Sequence, residues 1–300
     1  MKFYKDLEAE RERIQSCIQK YGWTSDHNLD WFLDAVMSEE YKPVFVGFDD
    51  GSGLLTHKSN NEWRIWSDPL SQPSDAAQKI YEFCGEALKE VEKVWCDDVS
   101  EKIHPELKKK GDIKLNEIYY SLQWPVLNMA KYDPSLPGGH FKEMRNARNK
   151  FYRERDVQII NATDRDKNDL HKIVDSWTKE VIRRGRGDIY DLKYHKTIDN
   201  NFRGFSSARI LIVDGKPVGI NAGYEVINNK KRFAGVVGLH DYSIPDLGTI
   251  LWLEDLEWVK SNGYKEFDMQ GSEDEGLKFK LSFGASVERK TDTFSITKIA

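Results

Sequence analysis

Residues 208–243 constrain the fold of this chain more than any other segment, because three apolar stretches alternate there with two short turns. The first turn motif is VDGKP at 213–217, and the second is INNKK at 227–231. Asn, Asp and Gly between β-branched stretches are typical of tight hairpin turns. The segment therefore predicts three consecutive antiparallel strands.

Helices are predicted on both sides of these strands. Upstream, the strand VQIINA at 157–162 precedes a helix whose apolar face runs from Leu170 to Val181, and Thr163 or Asp164 is the expected N-cap. Downstream, the predicted order is an amphipathic helix at 249–263, a strand at 264–270, a short helix, and a closing strand at 285–299. The basic stretch RRGRGD at 183–188 is expected to end the upstream helix and begin a loop.

The first half of the chain predicts a similar but looser order. Helices are expected at 5–20 and 28–37, strands at 42–50 and 61–68, a helix with Ser74 as its N-cap, and a strand at 91–100. A turn cluster, DPSLPGG, precedes a basic helix. We therefore predict a mixed α/β (α+β) fold with an N-terminal domain at 1–137, a basic linker helix at 138–156, and a C-terminal domain at 157–300.

Composition limits the classes of function. A net charge of −5 and a pI near 5.9 argue against a protein that coats nucleic acids through an overall basic surface. The three cysteines, of which Cys84 lies on an apolar helix face, form no CxxC pair, and no metal site is expected. No apolar run reaches the length of a membrane span, and the N-terminus lacks a signal peptide, so we expect a cytoplasmic protein.

Four motifs occur in an order that resembles one family. They are WRIWSDPLSQPSDAAQKIYEFCGEAL, GGHFKEMRNARNKFYRERD, DLHKIVDSWTKE and FDMQGSEDEGLKFKLSFGA. Together they resemble the C-terminal catalytic domain of phosphatidylglycerol lysyltransferases and its soluble, uncharacterised relatives, from about residue 40 to the end. The resemblance implies two tandem GNAT acyltransferase folds, each with a mixed, mostly antiparallel sheet flanked by helices. It also implies kinship with enzymes that take an aminoacyl group from tRNA.

The chain differs from that family in two ways. It has no transmembrane half, so we expect an acceptor other than a lipid. It also lacks the glycine-rich loop that holds the acetyl-CoA pyrophosphate, since the corresponding segment, SIPDLGTIL, contains only Gly248.

The resemblance places the acyl donor beside VVGLHDYSIPDLG, where a strand meets the N-terminus of the main helix. We predict that Leu239, His240, Gly248 and Thr249 bind the donor, since backbone groups and a helix N-terminus suit its polar part. Asp241 is a candidate acid or base. For His240, a satisfied, partly buried side chain is the alternative.

The basic helix carries Arg145 and Arg148 on one face, three residues apart, with Asn149 beside them. Guanidinium groups bind phosphates well, so we predict that these three residues bind a substrate such as a tRNA acceptor stem, a nucleotide or a CoA tail. The alternative is a solvated or bracing helix between two halves.

The closing turn places acids and lysines side by side. Asp268, Glu273 and Asp274 are predicted to hold an amine acceptor and take its proton, while Lys278 and Lys280 bind phosphate or carboxylate. A capping role is the alternative, with Ser272 or Asp274 as the N-cap and acids at the positive end of the helix. In the first half, Asp68 of WSDPLSQP is expected to bond backbone within a turn.

These features predict an N-acyltransferase that moves an acyl or aminoacyl group from a CoA thioester or an aminoacyl-tRNA to a small-molecule or peptide amine. The alternative is a GNAT-like module that has lost catalysis and binds RNA or a protein partner. No metal cofactor is expected.

Overall fold

A computed structural model describes residues 1–185 and 190–299. The helices are α1 (Arg11–Tyr21), α2 (Leu29–Asp34), α3 (Ala76–Ala87), α4 (Ile103–Lys108), α5 (Lys142–Glu154), α6 (Lys167–Arg183), α7 (Leu192–Asp199), α8 (Leu247–Ser261) and α9 (Asp274–Leu281). The strands are β1 (Lys2–Tyr4), β2 (Lys42–Gly47), β3 (Gly53–Lys58), β4 (Glu62–Ile65), β5 (Lys93–Ser100), β6 (Ile113–Leu115), β7 (Tyr120–Asn128), β8 (Val157–Asn161), β9 (Ser207–Val213), β10 (Lys216–Val226), β11 (Asn229–His240), β12 (Glu266–Asp268) and β13 (Ser286–Lys298).

Unit 1 is the first of two compact units and contains Met1–Pro125, Gly271–Ser282 and the chain from Ser286. Its strands pair in the order β1-β2-β3-β4-β5-β13-β6, with β4 and β5 parallel and the other neighbours antiparallel. A parallel pair needs a crossover connection, which α3 supplies. The buried face of α3, including Ile80 and Cys84, belongs to the same core as strand residues of β5 and β13. The predicted core position of Cys84 is confirmed.

Unit 2 contains Val126–Gln270 and Phe283–Ala285. Its strands pair in the order β7-β12-β11-β10-β9-β8, where β7 contributes its last three residues and β11 and β12 are parallel. Helix α8 is the crossover between that parallel pair, and its residues Ile250 and Leu251 pack with Leu211 and Val218 of the sheet. The three antiparallel strands predicted from 208–243 are confirmed as β9, β10 and β11.

Each unit therefore has a mostly antiparallel sheet with one parallel pair that is joined through a helix, and the predicted mixed fold class is confirmed. The predicted domain boundaries, 1–137, 138–156 and 157–300, stay a prediction. The expected linker helix α5 lies within unit 2, and β13 pairs with β5 in unit 1.

Two helix starts differ from the prediction. Helix α6 begins at Lys167, and its N-cap is Asp166, whose carboxylate accepts a hydrogen bond from the Asn168 N–H at 2.8 Å. Thr163 and Asp164 instead belong to a short 3₁₀ turn. Asp75 rather than Ser74 precedes α3. The helix end predicted in RRGRGD is confirmed at Arg183, whereas its residues 186–188 lie outside the described residues.

Candidate functional site

Strand β11 continues beyond its parallel neighbour in unit 2. The pairing with β12 runs from Arg232–Glu266 to Ala234–Asp268, where β12 ends. Strand β11 continues to His240, paired with β10 on its other side. The strand end is therefore open on the side that β12 leaves, and it leads directly to the N-terminus of α8.

His240 and Gly248 meet at this open strand end. A Cβ atom added at Gly248 would lie 2.9 Å from Nε2 and 3.0 Å from Cε1 of the His240 ring, so the ring can pack there only against a glycine. Leu239 is buried, whereas Thr249 is partly exposed in the first turn of α8. The four predicted donor-binding residues therefore lie together, although their binding role stays a prediction.

The His240 ring is neutral at physiological pH. Burial lowers the pKa of His240 to about 4, with a further contribution from the Arg184 charge and an opposing one from Asp241. The Arg184 guanidinium lies over the Tyr242 ring, 4.2 Å from its centroid. Asp241 Oδ1 accepts a hydrogen bond from the Ser243 N–H at 2.8 Å, which fixes the turn after β11. A neutral imidazole at this position can donate or accept a hydrogen bond but carries no positive charge.

The arginines of α5 bind backbone carbonyls of unit 2. Arg145 donates to the carbonyl oxygens of Leu136 and Gly138, the latter at 2.7 Å. Arg148 donates to the Pro134 carbonyl oxygen at 2.5 Å and lies 3.4 Å from Glu257 of α8. The side chains therefore tie α5 to the loop before it, whereas Asn149 is exposed. Their predicted substrate contacts stay a prediction.

Replacing both Arg145 and Arg148 with Ala should lower the free energy of unfolding by about 2 to 4 kcal/mol, because several charge-assisted hydrogen bonds to backbone carbonyls are lost. Urea unfolding measures this change. The matched control is the Lys142→Ala/Lys150→Ala pair, exposed on the same helix, which should stay within about 0.5 kcal/mol of the parent. Unchanged stability of the arginine variant, combined with weaker donor binding, would instead assign these residues to a substrate.

The residues of the closing turn are divided between the two units. Asp268 ends β12 in unit 2, where it is buried and its Oδ1 accepts a hydrogen bond from the Gln270 N–H at 2.9 Å. The others belong to unit 1: Glu273, Asp274 and Lys278, which are exposed, and Lys280, whose Nζ donates to the Gly271 carbonyl oxygen at 3.4 Å.

Neither Ser272 nor Asp274 caps α9. The N-cap position is occupied by Glu273, whose side chain makes no capping hydrogen bond, and Asp274 has a left-handed φ of 46°. The turn is held instead by Ser272, whose backbone exchanges hydrogen bonds with that of Gln123 on β7 at 2.9 and 3.0 Å. The capping interpretation is therefore wrong in detail, while the predicted catalytic and binding roles of the turn stay predictions.

Unit 1 contains a buried charged cluster that the sequence analysis missed. Its centre is Arg289 of β13, whose guanidinium lies 3.6 Å from the centroid of the Trp124 ring and 5.5 Å from that of Trp23. Arg289 Nη2 lies 3.6 Å from Asp26 Oδ2. A guanidinium stacked on an indole face is positioned and partly desolvated, as in a binding site.

Asp98 lies in the same cluster. It is a non-glycine residue with a left-handed φ of 51°, and its N–H donates to Thr293 Oγ1 at 3.0 Å. Burial, followed by the negative charges of Asp26 and Asp97, raises the pKa of Asp98 to about 7, although Arg289 opposes the shift. A carboxyl with a pKa near physiological pH, in a strained backbone, is typical of functional sites.

Asp68 and His27 connect this cluster to the turn after β4. Asp68 Oδ1 accepts a hydrogen bond from the Ser100 N–H at 2.6 Å, so Asp68 bonds backbone as predicted, but on β5 rather than within its own turn. The Trp23 N–H donates to His27 Nδ1 at 3.0 Å, so Nε2 carries the proton and donates to the Asp68 carbonyl oxygen at 2.9 Å. Burial lowers the pKa of His27 to about 4, consistent with a neutral structural ring.

A sequence signal for the cluster exists in β5. Asp97 and Asp98 are adjacent within a strand, where successive side chains point to opposite faces. Asp97 forms a two-point ion pair with Arg64, at 2.6 and 2.7 Å. Two neighbouring acids inside a strand therefore indicate that one of the two carboxyl groups faces the interior of the unit.

Two features of the described residues concern membranes and metal ions. Within residues 1–185 and 190–299, every helix is too short or too polar to span a lipid bilayer. In the same residues, no three His, Cys, Asp or Glu side chains converge to hold a metal ion.

Comparison with known proteins decides the family. The sequence profile described as "Phosphatidylglycerol lysyltransferase, C-terminal" matches residues 26–277. The chain belongs to this family. No curated protein sequence matches the chain.

Solved structures show the same fold. The C-terminal domain of an Agrobacterium fabrum protein, described as a lysylphosphatidylglycerol synthetase, has a TM-score of 0.66 at 13% identity, over 98% of this chain and 92% of that one. L-PGS from Bacillus licheniformis has a TM-score of 0.62 at 14% identity, over 96% and 91%. A tandem GNAT protein from the clavulanic acid biosynthesis pathway has a TM-score of 0.59 at 10% identity, over 98% and 97%.

These findings confirm the predicted resemblance and the tandem GNAT fold. As a member of the phosphatidylglycerol lysyltransferase family, the chain is an acyltransferase, and its reaction is acyl or aminoacyl transfer.

Proposed function

We propose that the chain transfers an acyl or aminoacyl group from a CoA thioester or an aminoacyl-tRNA to an amine acceptor, with the donor at the open end of β11 in unit 2. The main observation behind this proposal is that β11 continues past β12 to His240, which lies beside Gly248 and the N-terminus of α8. The first N–H groups of a helix have no partner within the helix, and they bind anions or carbonyl oxygens.

The transfer forms one bond and breaks one. The amine nitrogen attacks the donor carbonyl carbon, a C–N bond forms, and the C–S or C–O bond to the leaving thiol or ribose hydroxyl breaks. The amine loses one proton, and the leaving group takes one. In unit 2, Asp241 and Asp268 stay the candidate proton acceptors. The roles predicted for Glu273, Asp274, Lys278 and Lys280, which lie in unit 1, stay separate predictions.

The site also supports the choice between donors. The loop from Asp241 to Asp246 carries no glycine, and Asp246 at the start of α8 has a left-handed φ of 65°. In a loop without glycine, side chains limit how closely a pyrophosphate can approach the backbone N–H groups. Within the proposal, this favours an aminoacyl-tRNA, the donor of the related enzymes, over a CoA thioester. A cytoplasmic location follows from that donor and is part of the proposal.

Replacing Gly248 with Ala should weaken donor binding by about tenfold or more, because the new Cβ displaces the His240 ring from the start of α8. Titration calorimetry with acetyl-CoA, longer acyl-CoAs and charged tRNA measures the affinity. Gly85→Ala is the matched control, since it also lies in a helix but has open space around it.

Two results would count against the proposal. Equal donor affinity of the Gly248→Ala variant and the parent would remove the donor from this strand end. Failure of every donor to bind at millimolar concentration, together with salt-sensitive binding of bulk tRNA and no transfer, would favour a catalytically degenerate module that binds RNA or a protein. Offering phosphatidylglycerol alongside amines would test the acceptor for which the family is named.

A further inference from the structure

Unit 1 has a cavity beyond the end of its own parallel strand pair. Strands β4 and β5 pair from Glu62–Lys93 to Ile65–Cys96 and then separate. The cavity is lined by the turn after β4, by the start of α3 and by residues of the segment 100–110, and its volume of about 450 Å³ is within the range of small-molecule sites. The turn belongs to the motif WSDPLSQP, for which the sequence predicted only a structural role. The cavity makes this turn a candidate binding element.

The walls of the cavity are mainly apolar. Trp23, which is 44% exposed, lines the cavity together with Pro69 and Pro73, and Ala77 and Ile103 complete the apolar lining. An indole ring packs favourably with another aromatic ring, either offset-stacked or edge-to-face. An accessible indole in an apolar wall therefore favours a ligand with an aromatic body.

Asp68 presents a carboxyl oxygen without a hydrogen-bond partner to this cavity. The side chain lines the cavity although the residue is only 7% exposed. The Ser100 N–H donates to Oδ1, and His27 Nε2 donates to the backbone carbonyl, so Asp68 is held in position. Oδ2 has no hydrogen-bond partner among the described residues, and it is not sealed from solvent. An acceptor that is largely buried and lacks a partner is costly. It points to a donor group on a ligand.

The exposed part of the lining is positively charged. Lys102 and Lys110 are exposed lining residues, and neither forms an ion pair among the described residues. Glu106 also lines the cavity, but its carboxylate is paired with Lys109 at 2.6 Å. The start of α3 adds N–H groups, since its N-cap residue makes no side-chain capping hydrogen bond and the first N–H groups of a helix have no partner within it. This part of the cavity therefore suits an anionic group.

We propose that this cavity binds a hydroxylated aromatic carboxylate, with its ring against Trp23, its hydroxyl donating to Asp68 Oδ2, and its carboxylate toward Lys102 and Lys110. A hydroxyl suits Asp68 better than an ammonium does, because the Arg289 charge already compensates part of the Asp68 charge. The two lysines and Asp68 leave a single positive charge, which one ligand carboxylate balances. The inference goes beyond the proposed acyl transfer, whose donor is placed in unit 2, and does not depend on it.

Titration calorimetry on the full chain tests the site with four defined probes: p-coumarate, cinnamate, p-coumaryl alcohol and glycerol phosphate. Cinnamate lacks the hydroxyl of p-coumarate, and p-coumaryl alcohol lacks its carboxylate. We expect p-coumarate to bind, and each of these two to bind about tenfold or more weakly, because each loses one charge-assisted contact. Glycerol phosphate has hydroxyls and an anion but no ring, and it should also bind more weakly than p-coumarate.

Two variants separate the two ends of the ligand. In Asp68→Asn the Ser100 N–H takes the amide oxygen and leaves an NH₂ group at the position of Oδ2, so the advantage of p-coumarate over cinnamate should fall from about tenfold toward equality. Lys102→Gln should lower the advantage of p-coumarate over p-coumaryl alcohol by about threefold and leave its advantage over cinnamate unchanged. Lys108→Gln is the matched control, since Lys108 is an exposed lysine of α4 outside the lining, and it should bind every probe as the parent does.

Three outcomes overturn the inference. If p-coumarate binds the parent and the folded Asp68 and Lys102 variants with the same preferences, its site lies elsewhere. If glycerol phosphate binds more tightly than p-coumarate, the cavity does not recognise an aromatic body. If no probe binds at millimolar concentration, the site is rejected. Melting curves identify a variant that fails to fold, and Lys102→Gln, which changes an exposed side chain, provides the test if Asp68→Asn does not fold.

Discussion

Replacing Arg209 with Met should lower the free energy of unfolding by about 3 to 5 kcal/mol, because it leaves the buried carboxylate of Asp255 unpaired. The two side chains are 10% and 7% exposed and form an ion pair between β9 and α8. The Arg209 guanidinium also lies over the Trp258 ring, 4.9 Å from its centroid. This pair fixes the helix whose N-terminus meets the open end of β11, and urea unfolding measures its contribution.

The cost of the Arg209→Met change should grow with pH. Burial already raises the pKa of Asp255 to about 6 against the opposing charge of Arg209. Without that charge the pKa rises further, so the variant protonates Asp255 at low pH and escapes part of the penalty. At high pH the Asp255 carboxylate stays charged in the folded variant, so the variant bears the full cost of a buried, unpaired charge.

Two variants control this experiment. Arg209→Met combined with Asp255→Leu removes both charges and should recover most of the lost stability. Arg155→Met breaks an exposed pair with Asp214, whose side chains are 40% and 46% exposed, and should cost about 0 to 1 kcal/mol. If Arg209→Met and Arg155→Met lower the free energy of unfolding equally, the ion pair of Arg209 and Asp255 is not desolvated.

The elements that the sequence predicted well are those with a local signal. Two turn motifs predicted the hairpins of β9, β10 and β11, and apolar spacing predicted α8. The sequence does not determine where α6 begins, since Asp164 and Asp166 are both good N-caps and only tertiary contacts select between them.

Long-range pairing had no such signal. Strand β13 pairs with β5, with Phe294 opposite Cys96, although most of the chain separates them. Local propensity and turn chemistry carry no information about which distant strand completes a sheet. For the same reason the closing turn could be predicted as a strand-to-helix connection, but its pairing with Gln123 could not.

In the candidate sites, too, contacts between residues close in sequence could be predicted and contacts between distant residues could not. His240, Gly248 and Thr249 are close in sequence, and the resemblance predicted their neighbourhood. The cluster of unit 1 joins residues from three distant segments, including Asp26, Asp98 and Arg289. The basic pattern of α5 did not predict that Arg145 and Arg148 bind backbone carbonyls, because a guanidinium can donate to a carbonyl oxygen as well as to a phosphate.

The pH dependence of stability should change when Asp98 is replaced with Asn. The pKa of Asp98 is raised from the ordinary 3.8 to about 7, first by burial and then by the charges of Asp26 and Asp97. A carboxyl whose pKa is raised by folding binds its proton more tightly in the folded than in the unfolded state. The free energy of unfolding therefore falls as pH rises from about 4 to about 7, and this group has no further effect outside that window.

This pH-dependent change in the free energy of unfolding is large enough to measure. A rise of about three pKa units corresponds to at most about 4 kcal/mol, and relaxation of the cluster around a charged Asp98 reduces it. Urea unfolding of the parent and of Asp98→Asn, from about pH 4 to about pH 8, should show the variant losing less stability than the parent as pH rises. Buried His27 and His57, with lowered pKa values, act in the opposite direction in both proteins, so the difference between the curves isolates Asp98.

The matched control is Asp49→Asn, whose carboxyl is 93% exposed in the same unit and which should leave the slope of the parent curve unchanged. Parallel curves for the parent and Asp98→Asn would mean that Asp98 titrates as an ordinary surface acid. In that case water or a neighbouring group already stabilises the charge of Asp98 in the folded protein.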